Sequence, residues 1–342
     1  MNITQIMLAK NFGGAERLFV DFSIALAESG ENVQAICQKD SAAARLLEDK
    51  PGIDLSTVRV LGSWDVLAKR KIKNLLKRHS SQVVQAHLAR GALLAGRACD
   101  ELGLPLVVTT HNYIDLKYYR YVSMLVPPTR DQLEHYISQG FPEQKMTLIR
   151  HFSPFAADRA RRKEKDGELR LISVGRLVEK KGFHVLLKAF AGLAEGDRKL
   201  FLEIGGTGPE EQRLRNMIEE LGLQNRVVLS GWIDDVEGFL QGGDVFVLPS
   251  LDEPFGIVAL EAMAAGMPIV SSKSKGPSEV LDEETAWLCE VDNEQSMKEA
   301  LQQALSSSNE RARKGNRARE VFKRDYSKET IIPLFRSLYA SL

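Results

Sequence analysis

The chain alternates short apolar runs with segments of helical periodicity, twice over, on either side of one charged stretch without apolar period. Residues 3–8 read as a buried strand and Asn11-Phe12-Gly13-Gly14 as a turn. Residues 15–28 read as a helix with Leu18, Phe19, Phe22, Ala25 and Leu26 at helical spacing. Gly30 closes that helix as a C-terminal glycine does. Further strands are expected over residues 32–38, 83–87, 105–111 and 146–149, with helices over 91–102 and 129–139. Residues 151–167, with Arg159, Arg161, Arg162, Lys163 and Lys165, read as a hinge or as an exposed charged segment.

A second series begins at Leu169, with strands over residues 171–175, 200–204, 227–229, 245–249 and 269–270. Helices fall between them, over residues 182–193, 209–221, 236–241 and 257–265. Residues 294–305, 311–324 and 327–341 are helical as well. Strands alternating with helices make a parallel sheet covered on both faces. The chain is therefore expected to be α/β, with two Rossmann-like domains. The expected domains are residues 1–155, residues 156–326, and a terminal helix at 327–342 packing back on the first domain. Ligands of such sheets sit beyond the C-terminal strand ends, so two such halves predict a cleft with donor and acceptor entering from different sides.

At 342 residues the chain exceeds one typical core. Lys plus Arg and Asp plus Glu both number 46, and this balance argues against a nucleic-acid partner. Cys37, Cys99 and Cys289 show neither ligand spacing nor a disulfide framework, which fits a reducing cytoplasm. The opening residues reach a lysine and glycines too early for a signal peptide. No run approaches the ~20 apolar residues of a spanning helix, so membrane contact is expected to be peripheral at most. The basic segment Lys69, Arg70, Lys71, Lys73, Lys77 and Arg78 can lie on an anionic membrane, or be a solvated helix face over an apolar side.

The chemistry concentrates in PSLDEPFGIVALEAMAAGMPIVSS, where Glu253 and Glu261 are separated by seven residues. Between them Phe255-Gly256-Ile257 opens a helix with free backbone N–H groups, a site suited to an anionic leaving group. Two flanking carboxylates suit a partner rich in hydroxyls. A helix cap beside a solvated glutamate is the competing reading. Arg176 and Lys181 follow an expected strand and suit a diphosphate, whereas Lys180 is assigned to solvent. Gly13 and Gly14 open the first helix and offer amides to an anion, or form a tight turn. The run Gly205-Gly206-Thr207-Gly208 is either nucleotide-facing or an ordinary turn, since it lacks dinucleotide spacing. His87 and His111 end strands and are expected to face the cleft, His87 with the stronger functional case. No acid or cysteine cluster accompanies them, so zinc is not expected. Asp234-Asp235 read as a helix start rather than a metal motif.

Together VGRLVEKKG, IGGTGPE, SLDEPFGIVALEAMAAGMPIV, the GGAER loop and VVQAHLARGALLA resemble the retaining glycosyltransferases of family 4, over nearly the whole chain. The resemblance implies the GT-B fold and transfer of a sugar from a nucleotide-diphosphate donor to a glycan or lipid-linked acceptor. It places Glu253 on the donor sugar, Glu261 on the ribose, and Arg176 and Lys181 on the diphosphate. It places Gly13 and Gly14 near the phosphates and sugar, His87 near the transferred sugar, and Ile233 beside the base. Arg150-His151-Phe152-Ser153-Pro154 departs from a Pro-Asn-Gly-like turn common in the family, and Pro254-Phe255 follow Glu253 where a small residue is common. No cofactor and no metal are implied: cations and a helix tip take the leaving charge. A lipopolysaccharide or related glycan is the implied acceptor class, and the cytoplasm, or the inner face of its membrane, the implied place. A sugar-nucleotide epimerase or phosphorylase, or a binding protein without turnover, are the alternatives. A dehydrogenase fits poorly.

Overall fold

The computed structural model describes residues 1–156, 168–194 and 199–342. Most of the expected hinge, residues 157–167, lies outside the described residues. The chain divides into unit 1, residues Met1–Pro154 with Lys328–Leu342, and unit 2, residues Phe155–Ser327.

In chain order unit 1 contains β1 (Asn2–Met7), α1 (Gly14–Glu28), β2 (Asn32–Gln38), α2 (Ala42–Leu47), β3 (Ile53–Val58), α3 (Val66–His79), β4 (Val83–His87), α4 (Leu88–Asp100), β5 (Leu106–Thr109), β6 (Met124–Val126) and α5 (Arg130–Ser138). Among the described residues its six-stranded sheet is parallel, in the order β3-β2-β1-β4-β5-β6. Strands buried on both faces carry near-continuous apolar runs, as β5 does with Leu106, Val107 and Val108 fully buried. Side-chain caps start α3, where Asp65 accepts from the Ala68 amide, and α5, where Thr129 accepts from Gln132.

Unit 2 contains β7 (Leu169–Val174), α6 (Phe183–Ala194), β8 (Leu200–Gly205), α7 (Glu211–Glu220), β9 (Val227–Gly231), α8 (Val236–Gln241), β10 (Val245–Leu248), α9 (Ile257–Ala264), β11 (Ile269–Ser272), α10 (Pro277–Val280), β12 (Ala286–Cys289), α11 (Glu294–Ser306) and α12 (Ser308–Asp325). Among the described residues its six strands are again parallel, in the order β12-β11-β10-β7-β8-β9. Counted from its own first strand, this is the strand order of unit 1.

The last helix, α13 (Lys328–Ala340), belongs to unit 1. Phe335 meets Phe22 edge to face at 4.7 Å, Arg336 Nε donates to Glu31 at 2.5 Å, and the Tyr339 hydroxyl donates to Gln85.

The strand expected over residues 146–149 does not form. Met146 bridges Leu125 once, after a short 3-10 turn at Glu143–Lys145, and the chain then leaves the sheet to bury Phe152. The sixth strand is instead β6, three residues long and too short to show a period. Beyond the expected elements the fold also contains α10 and β12, each four residues long, and α2 and β3, each six.

Candidate active site

The carboxyl edge of the unit 2 sheet is a lacework of three loops. The loop after β7 bonds to the loop after β8: Gly175 N–H donates to Gly205 O, Leu177 N–H to Thr207 O at 2.9 Å, and Glu210 N–H returns to Leu177 O at 3.0 Å. The same β7 loop bonds to the loop after β10, through Leu251 N–H to Lys180 O at 2.8 Å. Such close approach leaves no room for side chains. A Cβ on Gly206, at φ +134°, lies 1.9 Å from Gly175 O, and one on Gly208 lies 2.2 Å from Leu177 O. The glycine run lets loop pack on loop. Ile233 packs over Gly205 at the same edge.

This frame holds the expected charges in two ways. Lys181 Nζ donates to Glu253 Oε2 in an ion pair with both side chains largely buried. Ser250, fully buried, also donates to Glu253 at 3.5 Å. Arg176 is exposed and makes no ion pair among the described residues. Lys180 projects to solvent and contributes only its carbonyl. The sequence shows Lys181 and Glu253 as separate candidates, and only the fold reveals them as partners across 72 residues.

Directly after Glu253, Phe255 is buried at 4% exposure and fixes the path into α9. Gly256 caps the helix in the left-handed region at φ +88°, with no side chain bonded to the helix amides, and Ile257 is its first residue. Gly276 N–H donates to Glu253 O and ties the loop to the segment before α10. Glu261 lies on α9 with 6% exposure, so its carboxylate is held by the protein rather than solvated.

Unit 1 presents a different edge. Gly13 and Gly14 start α1, but Glu16, three residues into the helix, turns back on the Gly13 amide as in a capping box. The Glu16 carboxylate therefore sits beside the turn expected to receive an anion. Burial raises the Glu16 carboxyl above its ordinary range, while the Gly13 and Glu16 amides pull it down. The sequence reading missed Glu16.

His87 ends β4 with 0% exposure. Its Nε2–H donates to Gln5 Oε1 at 3.1 Å and its Nδ1 accepts from His111 Nε2 at 3.0 Å. His111 in turn stacks on His151 at 5.1 Å. Burial pushes all three imidazoles down, His111 to about 3, so they are neutral. Both ring nitrogens of His87 are committed to the interior, and His111 is likewise a packed residue at 8% exposure. His111 lines neither cavity of unit 1, whereas His87, though buried, is among the residues that line a 530 Å³ cavity beside it. What meets solvent is the β4–α4 junction, where Leu88 sits at φ +62°. A branched residue in that region is strained, and strain gathers at working junctions. The junction borders the same cavity, which also receives Lys10, Asn11, Glu16 and Arg90.

On α3, Ala68, Ile72 and Leu76 are buried, and Lys69 and Lys73 pair with Glu101 at 2.5 and 2.6 Å. Arg70, Lys71, Lys77 and Arg78 are exposed. Just before and within its first turn, Leu61, Trp64, Val66 and Leu67 are also exposed, at 67, 70, 54 and 74%. No helix among the described residues is long and apolar enough to cross a membrane.

Residues 154–321 match the group 1 glycosyl transferases, and residues 12–152 match glycosyltransferase family 4. The lipopolysaccharide core biosynthesis glycosyltransferase LpsE of Rhizobium meliloti is 31% identical, across 100% of this chain and 99% of its own. LpsD of the same organism is 27% identical, across 96% and 95%. Among solved structures, Anabaena Alr3699/HepE in complex with UDP and glucose has a TM-score of 0.86 at 20% identity, with 100% of both chains covered. The apo form of the lipopolysaccharide outer core galactosyltransferase WaaB has a TM-score of 0.73 at 19% identity, with 99% of both covered. The structural likeness fixes the fold as GT-B with two Rossmann-like domains. The sequence matches, which run through both units, carry the rest: this chain belongs to the group 1 glycosyl transferases of family 4.

Proposed function

We propose that the protein moves a sugar from a nucleotide-diphosphate sugar to a hydroxyl of a glycan or lipid-linked acceptor in lipopolysaccharide or related surface-polysaccharide synthesis, with retention at the anomeric carbon. The observation that carries this reading is the unit 2 edge: the Lys181–Glu253 pair clamped among three interlocked loops beside the uncapped start of α9. The names of the curated relatives support the pathway.

In this reading the diphosphate takes Lys181 and Arg176 as counter-charges and the amides at Gly256 and Ile257 as donors. Lys181 then shifts from Glu253 toward phosphate, and Glu253 is released to accept hydrogen bonds from sugar hydroxyls. Glu261 binds the ribose hydroxyls, Ile233 and the Gly208 loop flank the base, and Phe255 holds the loop. The bond from the anomeric carbon to the phosphate oxygen breaks with its electrons going to phosphate. The acceptor oxygen bonds to that carbon on the same face, and its proton passes to the departing phosphate. Fixed donors of this kind are worth about 3 kcal/mol of barrier each. They supply the charge that a metal supplies elsewhere, so no cofactor is required. Gly13, Gly14 and His87 act on the acceptor side by shape: the first two through the turn that Glu16 caps, His87 by bracing the strained junction at Leu88.

Leu61, Trp64, Val66 and Leu67, with Arg70 and Lys71 beside them, fit a peripheral seat on an anionic membrane at the cytoplasmic face.

The test is a transfer assay with UDP-, GDP- and ADP-sugars, in excess EDTA, with the product anomer assigned by NMR. The expected result is one preferred donor and a retained configuration without metal. Inversion, or turnover lost on chelation and restored by a divalent ion, overturns the mechanism.

A further inference from the structure

At the opposite end of the unit 1 edge, three cations without counter-charges converge. Lys10 lies just beyond β1, Lys39 just after β2 and Arg59 just after β3, and these are adjacent strands of one parallel sheet. Together with Gln38, Asp40 and Ser41 they line a cavity of 430 Å³, within the size range of small-ligand sites. All three cations are exposed, and none makes an ion pair among the described residues. Elsewhere in unit 1 Lys69 and Lys73 share Glu101, Lys328 pairs with Glu28 and Arg336 with Glu31, and the exposed cations Arg70, Lys71, Lys77 and Arg78 of α3 lie along one helix rather than around a cavity. In the cavity Asp40 is the one acid, against three cations, so the space carries surplus positive charge.

Its donors are also prearranged. The Gln38 carbonyl oxygen accepts from Val60 N–H at 3.1 Å, which leaves the Gln38 amide hydrogens as donors. Asp40 stands at φ +61°, so the turn that presents Lys39 is held in an uncommon conformation. Lys10 lines this cavity and the 530 Å³ cavity at the β4–α4 junction, and so joins the two. The larger space offers Asn11, Glu16 and Arg90, a mixed set suited to sugar hydroxyls.

We infer that Lys10, Lys39 and Arg59 form an acceptor subsite for an oxyanion carried by a sugar, with the sugar ring in the adjoining cavity. This inference rests on the glycosyltransferase reading above and deepens it: the acceptor is an acidic glycan, bearing phosphate or carboxylate, rather than a neutral one. Parallel strands place the three cations at the ligand-binding edge of the sheet. Lys10 and Lys39 act as point charges and Arg59 as a planar fork, a combination that accepts either anion.

The test uses the full chain saturated with UDP, so that donor-site cations are occupied. Glucose, glucose 6-phosphate and glucuronate are titrated in turn by calorimetry at low salt. At least one acidic sugar is expected to bind tenfold or more tighter than glucose, and the tighter one names the anion. In the Lys39→Ala/Arg59→Ala double variant that preference is expected to vanish, with melting temperature and UDP affinity unchanged. Equal binding of all three sugars to the wild type, or a preference kept in the variant, overturns the inference while leaving the donor reading intact. Failure of the wild type to bind any nucleotide overturns the donor reading instead.

Discussion

The two units share one strand order and differ at the carboxyl edge of the sheet. In unit 2 the edge loops bond to one another, glycines let their backbones touch, and the principal acid and base are paired. In unit 1 the edge is open: cavities indent it, Lys10, Lys39 and Arg59 stand without ion pairs among the described residues, and His87 lines one cavity while bonded inward to Gln5 and His111. A rigid, pre-paired edge suits a ligand portion that never changes, such as a nucleoside diphosphate. An edge indented by cavities leaves room for a bulkier partner. Under the proposed function, the tied edge would serve the donor and the open edge the acceptor.

The contrast breaks most readily at the pair itself. Lys181→Ala and Glu253→Ala are each expected to lose transfer by 10²–10³-fold, about 3–4 kcal/mol of barrier, with the fold retained. Near wild-type kcat in either purified variant removes the pair from the chemistry. Next comes the lacework. Gly206→Ala forces a Cβ against Gly175 O and strains φ, which costs about 1–3 kcal/mol and weakens nucleotide binding through loop displacement. A urea midpoint and UDP affinity equal to wild type would show that the loops are loose after all.

Unit 1 makes a pH-dependent counterpart. His87, His111 and His151 stay neutral when folded, whereas unfolding lets each take up a proton near pH 6.5. Below that pH the unfolded state binds more protons, so stability falls on acidification, from about 6.5 toward the folded value of about 3 for His111. The slope limit is about 1.4 kcal/mol per pH unit for each proton. Asp21, lifted to about 7 by burial despite nearby Arg17, works in the opposite sense, as does Glu16. Denaturant midpoints at pH 7, 6 and 5 should therefore decline, and more steeply in Asp21→Asn. A rising midpoint would place the histidines in contact with solvent. The smallest effect is expected at the surface: Lys71→Ala should lower partition onto anionic vesicles by about 1 kcal/mol, roughly fivefold. Equal partition would leave α3 a solvated face.

Periodicity carried much of the fold into view, because strands buried on both faces and helices with one apolar stripe leave different marks in the residues. It failed where elements are short, as in β6, α10 and β12 and in the six-residue α2 and β3, and where residues 146–149 serve burial rather than pairing. At the site, residue type and spacing singled out Glu253, Lys181, Arg176 and Gly256. They did not reveal that Lys181 grips Glu253, that Glu16 sits beside the Gly13 turn, or that His87 bonds inward to Gln5 and His111. Those facts depend on contacts between residues distant in the chain. Lys10, Lys39 and Arg59, spread over three separate loops, carry no local signature at all.

The helix that follows unit 2 in the chain completes unit 1, since Tyr339 reaches Gln85 and Phe335 covers Phe22. Synthesis on the ribosome runs from the amino end, so unit 1 waits for a helix made after unit 2. Until residues 328–340 emerge, Phe22 lacks its cover and Gln85 one of its partners. A nascent chain is therefore expected to hold a finished second unit beside an unfinished first one, and an extension or clipping of the carboxyl terminus should register in the amino-terminal unit.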